Sequence, residues 1–309
     1  MKVTVCGAGN VGATLAQRIY EKNYAEVALT DAAPGRAEGK ALDILESGPV
    51  LGCDVGIVGV TDDYAATKNS DAVVITAGVA RRPGMSRDEL LEINAKIIVS
   101  VTKSVLEHSP DAILIIVSNP LDAMVQLAQE VSGLPKERVV GMAGVLDTAR
   151  FRTFLALELG VSVKDVNAYV IGGHGDLMVP LISATNIAGV PIVQLIAADR
   201  LEEIVQRTRD GGAEIVNLLG ASGYYAPSAA SLEMVEAILF DKKQILPCAA
   251  RLEGEYGVNS YYAGVPVKLG ANGVEEIIEL QLTADEQRQF SASAASVQNL
   301  VNQVRKLVG

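Results

Sequence analysis

Lys2-Val-Thr-Val-Cys-Gly-Ala-Gly-Asn-Val-Gly12 is the stretch from which the fold can be read, together with the segment that carries it on to Asp31. Val3 and Val5 alternate as in a short strand, and Val11, Leu15 and Ile19 then recur at helical spacing up to about Lys22. Between them lies Gly7-x-Gly9-x-x-Gly12. The first glycine permits a tight strand-to-helix turn, the second lets a pyrophosphate approach the main chain, and the third lets the helix pack closely on the strand. The amides and dipole at the start of that helix then face the phosphates. A second apolar strand, Val27-Ala-Leu29, ends at Asp31, 19 residues after Gly12. A carboxylate there accepts hydrogen bonds from the adenosine ribose and repels a 2′-phosphate, which favours NAD over NADP. A lone glycine motif is weak, because a phosphate-free structural turn can share it. Strand, glycines, helix, strand and acid in succession make dinucleotide binding the stronger reading.

The rest of the N-terminal half repeats the alternation. Pro34 to Glu46 has helix-forming composition with Pro34 near the first helical position, and Val55 to Val60 reads as a short strand, antiparallel or at an edge. Asp71 to Gly78 is a buried parallel strand ending in small residues, and Arg81 to Arg87 an irregular loop. A long helix from Asp88 to about His108, a strand Ile113 to Val117, a helix Leu121 to Val131 and a strand Arg138 to Gly141 follow. Such alternation implies a doubly wound parallel sheet, an α/β fold of Rossmann type, over residues 1–143. From 144 to 309 the rhythm changes to that of an α+β unit with an antiparallel sheet. Its expected elements are a helix Leu146 to Leu159, a strand Val166 to Ile171 and an extended piece Val190 to Val193. A helix-like Asp199 to Gly211 leads into Ala213 to Leu219, and a further helix runs from Ser231 to Leu239. Strands Leu246 to Arg251, Tyr261 to Val267 and Val274 to Leu282 and a last helix from Ala284 to Leu307 complete it.

Bulk properties agree. At 309 residues, two lobes are the natural expectation, and 49% hydrophobic with 20% charged residues suits a globular enzyme. Lys+Arg 26 against Asp+Glu 37 gives a net charge of -11, which disfavours nucleic acid and anionic membranes as partners. An anionic substrate then needs a local arginine cluster. Cys6, Cys53 and Cys248 are odd in number and widely spaced, with neither a metal pattern nor a disulfide framework, and read as reduced buried thiols. No apolar run approaches the roughly 18 residues of a membrane helix. The first strand starts at once, with no signal-peptide pattern. A soluble, cytoplasmic protein is expected.

Of the two histidines, His108 stands at a helix end before Ser109-Pro110 and reads as a surface residue. His174 lies at a strand end between Gly173 and Gly175, with Asp176 two residues on. Glycines let substrate and cofactor approach the ring, and imidazole suits proton exchange near neutral pH. The alternative is a histidine packed in a tight turn. Asp147 and Arg150, three apart on one helix face, offer a carboxylate to hold the imidazole and a guanidinium to clamp a substrate carboxylate, or simply an intrahelical salt bridge. Arg81, Arg82 and Arg87 are either substrate cations or a solvated surface loop. Taken together, these residues equip the chain to oxidise an anionic 2-hydroxy acid.

The ordered motifs Gly7-Ala-Gly-Asn-Val-Gly12, Gly39-Lys-Ala-Leu-Asp43, Arg81-Arg-Pro-Gly-Met-Ser-Arg87, Ser118-Asn-Pro-Leu-Asp122, Gly144-Val-Leu-Asp-Thr-Ala-Arg150, Gly172-Gly-His-Gly-Asp176 and Tyr224-Tyr-Ala-Pro227 carry a resemblance over the whole chain. The chain resembles the lactate/malate dehydrogenase superfamily, and within it the lactate-dehydrogenase-like group of bacterial malate dehydrogenases. The resemblance implies His174 as proton acceptor in malate oxidation, Asp147 as its partner and Arg150 on the C1 carboxylate. It places Arg87 on a closing loop as the group that polarises the reacting carbonyl, and Asn119 between nicotinamide and substrate. It gives Arg81 the choice of substrate, since lactate dehydrogenases have Gln there and a second carboxylate needs a counter-charge. It also puts Asn10, Val11, Ala77, Gly78, Asn94 and Val117 in the NAD site beside Gly7, Gly9, Gly12 and Asp31. Gly223 falls where lactate dehydrogenases usually have Thr, leaving more room near the substrate. Pro34-Gly-Arg-Ala-Glu38, at the adenosine end, is less typical of the family and bears on cofactor affinity. A homo-oligomer, dimer or tetramer, is implied, with the faces Ala16 to Tyr20 and Leu155 to Leu159 either core or interface. The rivals are a lactate or other 2-hydroxy-acid dehydrogenase and, from another class, a non-catalytic NAD-binding protein.

Overall fold

A computed structural model describes residues 1–79 and 86–308, with the side chains of Arg87 and Val308 outside the description. Its N-terminal half runs β1 (Lys2–Cys6), α1 (Asn10–Glu21), β2 (Glu26–Asp31), α2 (Arg36–Leu51), β3 (Ile57–Thr61), β4 (Ala72–Ile75), α3 (Arg87–Leu106), β5 (Ile113–Ile116), α4 (Leu121–Ser132) and β6 (Val139–Gly141). Next come α5 (Gly144–Leu159) and five two-residue strands: β7 (Val166–Asn167), β8 (Val170–Ile171), β9 (Val179–Pro180), β10 (Asn186–Ile187) and β11 (Val190–Pro191). The chain ends with α6 (Ala198–Leu219), α7 (Tyr225–Leu239), β12 (Gln244–Glu253), β13 (Asn259–Gly270), β14 (Gly273–Ile277) and α8 (Ala284–Val308).

The order 3-2-1-4-5-6 of the first six strands, all parallel, is that of a dinucleotide-binding sheet, with its direction of winding reversing between β1 and β4. Apolar runs explain why it forms. In β5, Ile113 and Ile115 pack with α1 and α7 on one face, while Leu114 and Ile116 pack with α3, α4 and α8 on the other. A strand covered on both faces has no polar side, and each such side chain contributes roughly 1.5–3 kcal/mol. The last three strands, all antiparallel, do not form a separate sheet. β12 pairs with β6 at Ala249 and Gly141, so β12, β13 and β14 extend the same sheet to nine strands. The smaller sheets β11-β10-β7 and β8-β9 pack beside α5 and α6.

Several expectations need correction. The second helix begins at Arg36, not Pro34, because Gly35 takes a left-handed turn (φ 73°) at its N-cap. β3 is an edge strand as expected, but parallel. Residues 166–171 form two strands in different sheets. Residues 198–219 form one helix despite Gly211-Gly212, since packing of Leu201, Ile204 and Thr208 outweighs the roughly 1 kcal/mol each glycine costs. α7 starts at Tyr225, six residues early, with Pro227 in the first turn where a missing N–H does no harm. The final strand stops at Ile277, after which the Leu280 N–H donates to the Tyr256 hydroxyl at 2.8 Å. Cys6 and Cys248 are buried free thiols, but Cys53 is only half-buried. His108 is also half-buried. Ala16, Ile19 and Tyr20 are core, as is Leu155, whereas Leu157 is 69% exposed.

Candidate active site

The carboxyl ends of β1 and β4, where the sheet changes direction, carry the glycine turn and residues 76–79. Gly7 has φ 104°, and a Cβ on it would stand 2.7 Å from the Ala77 amide nitrogen. A Cβ on Gly12 would overlap the Gly7 carbonyl oxygen, so α1 can lie on the turn only with glycine there. Gly9 is different: nothing lies within 4 Å of where its Cβ would be. It is the N-cap of α1 and no side chain caps that end, so the first amides keep their hydrogen-bonding capacity for an anion. Asn10 is exposed and Val11 half-buried at the same helix start. Asp31 Oδ2 accepts from the Ala8 N–H at 2.7 Å and Oδ1 from the Ala33 N–H at 2.8 Å. The Lys40 ammonium donates to the Ala8 carbonyl at 2.9 Å. Acid and lysine thus brace the two successive peptides that flank Ala8 in the glycine turn. The open Gly9 cradle, uncapped amides and Asp31 fit a bound dinucleotide.

Ala77 and Gly78 follow β4, and Val117 and Asn119 follow β5, lining the same edge. Asn94 of α3 is buried and donates to the Asn119 carbonyl at 2.7 Å, while its oxygen accepts from the Val79 N–H at 2.8 Å. Its amide therefore ties the two strand ends together. Asn119 itself is exposed there, next to Pro120.

Below that edge, α5 starts at Gly144, where a Cβ would press on the Val170 and Pro247 carbonyl oxygens at 2.7 and 2.8 Å. This close seating puts Asp147, one turn in, only 2% exposed beneath the loop after β8. Its Oδ2 lies 2.8 Å from His174 Nδ1 and its Oδ1 accepts from Arg150 Nη1 at 3.2 Å. The spacing of three is thus a salt bridge and a histidine partner at once, because a carboxylate has two oxygens. Ionised Asp147 can only accept, so Nδ1 carries the proton and Nε2 is left as a base. Burial pulls the His174 pKa down, but the charge and hydrogen bond of Asp147 and the charge of Asp122 outweigh it, and the net shift is upward from 6.5.

The loop bearing His174 is fastened at three points. Gly172 exchanges two backbone hydrogen bonds with Gly264, the Gly173 N–H donates to Ser293 Oγ at 2.8 Å, and the His174 N–H donates to Asp122 Oδ2 at 2.8 Å. Burial pushes the Asp122 carboxyl up to about 6, against the opposing pull of His174. Asp122 and Ser293 were not singled out from sequence. Asp122 ends a motif quoted above and could have been suspected as an acid in a first helical turn; Ser293 carries no local signal. Arg150 lies against Gly211, whose Cβ would meet its Cδ at 3.1 Å, and its buried Nε has no partner. The guanidinium remains the one cation the described residues place beside Asp147. Arg87 opens α3, capped by Ser86, rather than lying in the loop before it. Its side chain, and all of Arg81 and Arg82, lie outside the described residues. Asp176 is exposed and Gly223 sits over Ile215.

Comparison with known proteins gives the same outline. Residues 1–141 match the family model of the lactate/malate dehydrogenase NAD binding domain, and residues 144–308 that of the lactate/malate dehydrogenase alpha/beta C-terminal domain. The malate dehydrogenase of Thermomicrobium roseum is 55% identical over 306 residues, covering 99% of both chains. The solved malate dehydrogenase of Salinibacter ruber superposes with a TM-score of 0.95 at 52% identity, covering 99% of this chain and 98% of that one. A lactate dehydrogenase of Cryptosporidium parvum, solved with lactic acid and the dinucleotide, also gives 0.95, at 44% identity over 98% of each chain. Overall shape therefore does not separate the two substrates. With an NAD-binding domain and a buried acid holding a half-buried histidine at its edge, the chain is an oxidoreductase and belongs to the lactate/malate dehydrogenase family.

Proposed function

We propose that the protein oxidises (S)-malate to oxaloacetate with NAD, reversibly. The observation that carries the chemistry is Asp147 held between His174 Nδ1 at 2.8 Å and Arg150 Nη1 at 3.2 Å. That arrangement fixes one imidazole tautomer and sets a cation beside it, which is what removing a proton from an anionic hydroxy acid requires.

Gly7, Gly9, Asn10, Val11, Gly12 and Asp31 would hold the cofactor's phosphates and adenosine, with Ala77, Gly78, Val117 and Asn119 toward its nicotinamide. Bound NAD supplies the hydride acceptor. His174 Nε2 takes the hydroxyl proton, and the imidazolium that results is stabilised by the Asp147 carboxylate, 2% exposed and 2.8 Å from Nδ1. Arg150 grips the C1 carboxylate with the donors that Asp147 leaves free. Arg87, at the start of α3, polarises the developing carbonyl. Asn94 serves this site by holding the ends of β4 and β5 in register. Arg81 pairs with the distal carboxylate. The deciding measurement is the ratio of kcat/KM for oxaloacetate over pyruvate: Arg81→Gln should lower it by about 10²-fold or more. An unchanged ratio would return the protein to the lactate-type reading.

Residues 1–143 form the cofactor-binding unit and 144–309 the substrate unit in this reading. We assign the protein to the cytoplasm and to a dimer or tetramer. Leu42, Leu45, Val50 and Leu51 on α2 and Leu218 and Leu219 on α6 are exposed apolar side chains that a second copy would cover. Light scattering tests this, and a monomer at micromolar concentration would refute it. Among the described residues, no helix is long and apolar enough to cross a membrane.

A further inference from the structure

Asp122 is a second carboxylate behind the histidine. It stands in the first turn of α4, two residues beyond Pro120, and is 4% exposed. One oxygen accepts from the His174 backbone N–H; the other, Oδ1, is buried and has no partner. A structural anchor for one N–H needs only a neutral acceptor, and an amide or hydroxyl would supply it without burying an ionisable group. Among the described residues, the charged groups that act on Asp122 are His174 on the loop it holds and Asp147 on α5. The groups α8 brings to that loop, Ser293 and Val297, are neutral. An ionised Asp122 therefore acts mainly on the imidazole.

We propose that Asp122 is a positioning residue with two tasks: it pins the main chain of His174 from the cofactor-binding half, and its charge adds to that of Asp147 in favouring the imidazolium. This rests on the assignment of His174 as the proton acceptor. The same α4 turn follows Asn119, so one helix start registers the base against the nicotinamide edge. Burial pushes the carboxyl up to about 6, below the range of the imidazole, whose own pKa is shifted upward from 6.5. Above the carboxyl's pKa the field of two carboxylates holds the proton on His174, which serves reduction of the oxo acid. Below it one charge is lost and the imidazole becomes a weaker base.

Asp122→Asn keeps an acceptor for the His174 N–H and removes the charge. Steady-state kcat/KM in both directions between about pH 5.5 and 9.5 gives the profile, and NADH fluorescence gives cofactor binding. In the variant, the acid limb of malate oxidation should move down by about one pH unit, and oxaloacetate reduction near pH 8 should fall about tenfold. NADH affinity should stay within about twofold. Unshifted limbs in a variant that binds NADH would overturn the proposal. A variant that does not fold leaves a direct measurement on the otherwise native protein. In the His108→Gln protein, His174 is the only imidazole, and its NMR titration should show a second inflection near pH 6 from the neighbouring carboxyl. A single inflection would overturn the proposal equally. His174→Asn separates the two levels: wild-type turnover there sinks the underlying assignment, whereas its loss beside an unchanged Asp122→Asn profile sinks only the role given to Asp122.

Discussion

Replacing Asp147 by Asn tests the centre of the mechanism with a change of one atom. The wild-type carboxylate presents two acceptors, one 2.8 Å from His174 Nδ1 and one 3.2 Å from Arg150 Nη1. An amide presents one acceptor and one donor. Keeping its oxygen on Arg150 turns the NH₂ toward Nδ1, which must then accept, so the proton moves to Nε2 and the base is lost. Flipping the amide restores the histidine contact but sets a donor against the guanidinium in a site 2% exposed. Each charge-assisted hydrogen bond contributes about 1.5–3 kcal/mol, so either arrangement forfeits about 3–5 kcal/mol of transition-state stabilisation. That converts to a kcat for malate oxidation about 10²–10⁴-fold lower. The pH at which residual activity rises should also fall, because the largest force raising the His174 pKa is gone. Stopped-flow formation of NADH, with cofactor affinity measured separately, gives both quantities. A variant with kcat within about threefold of wild type and an unmoved pH profile would refute the assigned roles of Asp147 and His174 together.

The two glycines of the turn should separate binding from folding. Gly9→Val, pointing into open space, should leave the melting temperature unchanged and weaken NADH binding at least about tenfold. Gly12→Ala, which meets the Gly7 carbonyl, should lower stability by about 1–3 kcal/mol even without cofactor. Equal effects of the two in thermal melts would contradict the turn's geometry. Gly211→Ala should raise KM for malate about three- to tenfold with a smaller change in kcat, because its methyl crowds Arg150, while helix propensity gains about 1 kcal/mol. A lowered melting temperature would show that the effect is global. For Asp122 the neutral form is the one favoured by folding, so its contribution is full below the unfolded value of 3.8 and is lost as pH rises through about 6. Asp122→Asn should therefore gain up to about 3 kcal/mol relative to wild type at pH 8 compared with pH 4. Chemical denaturation at the two pH values checks it, and a pH-independent difference would count against a buried titrating carboxyl.

The alternation of apolar strands and amphipathic helices, and the glycine turn with Asp31 beyond it, were legible because they are local. Periodicity and backbone freedom act over a few residues, and the first six strands assemble in the order such units adopt. The i, i+3 pair of Asp147 and Arg150 was legible for the same reason. What the sequence could not decide is where distant pieces meet. Whether Asp147 served Arg150 or His174 had two answers on paper, and three-dimensional packing allows both, since the two oxygens face different partners. The role of Asp122 depends on His174, 52 residues on, and that of Ser293 on Gly173, 120 residues away, and no periodicity spans such distances. Likewise only the pairing of β12 with β6 shows that both halves share one sheet. Local chemistry set the elements and the candidate groups; burial and long-range hydrogen bonds, which exist only in the folded chain, decided which groups act on one another.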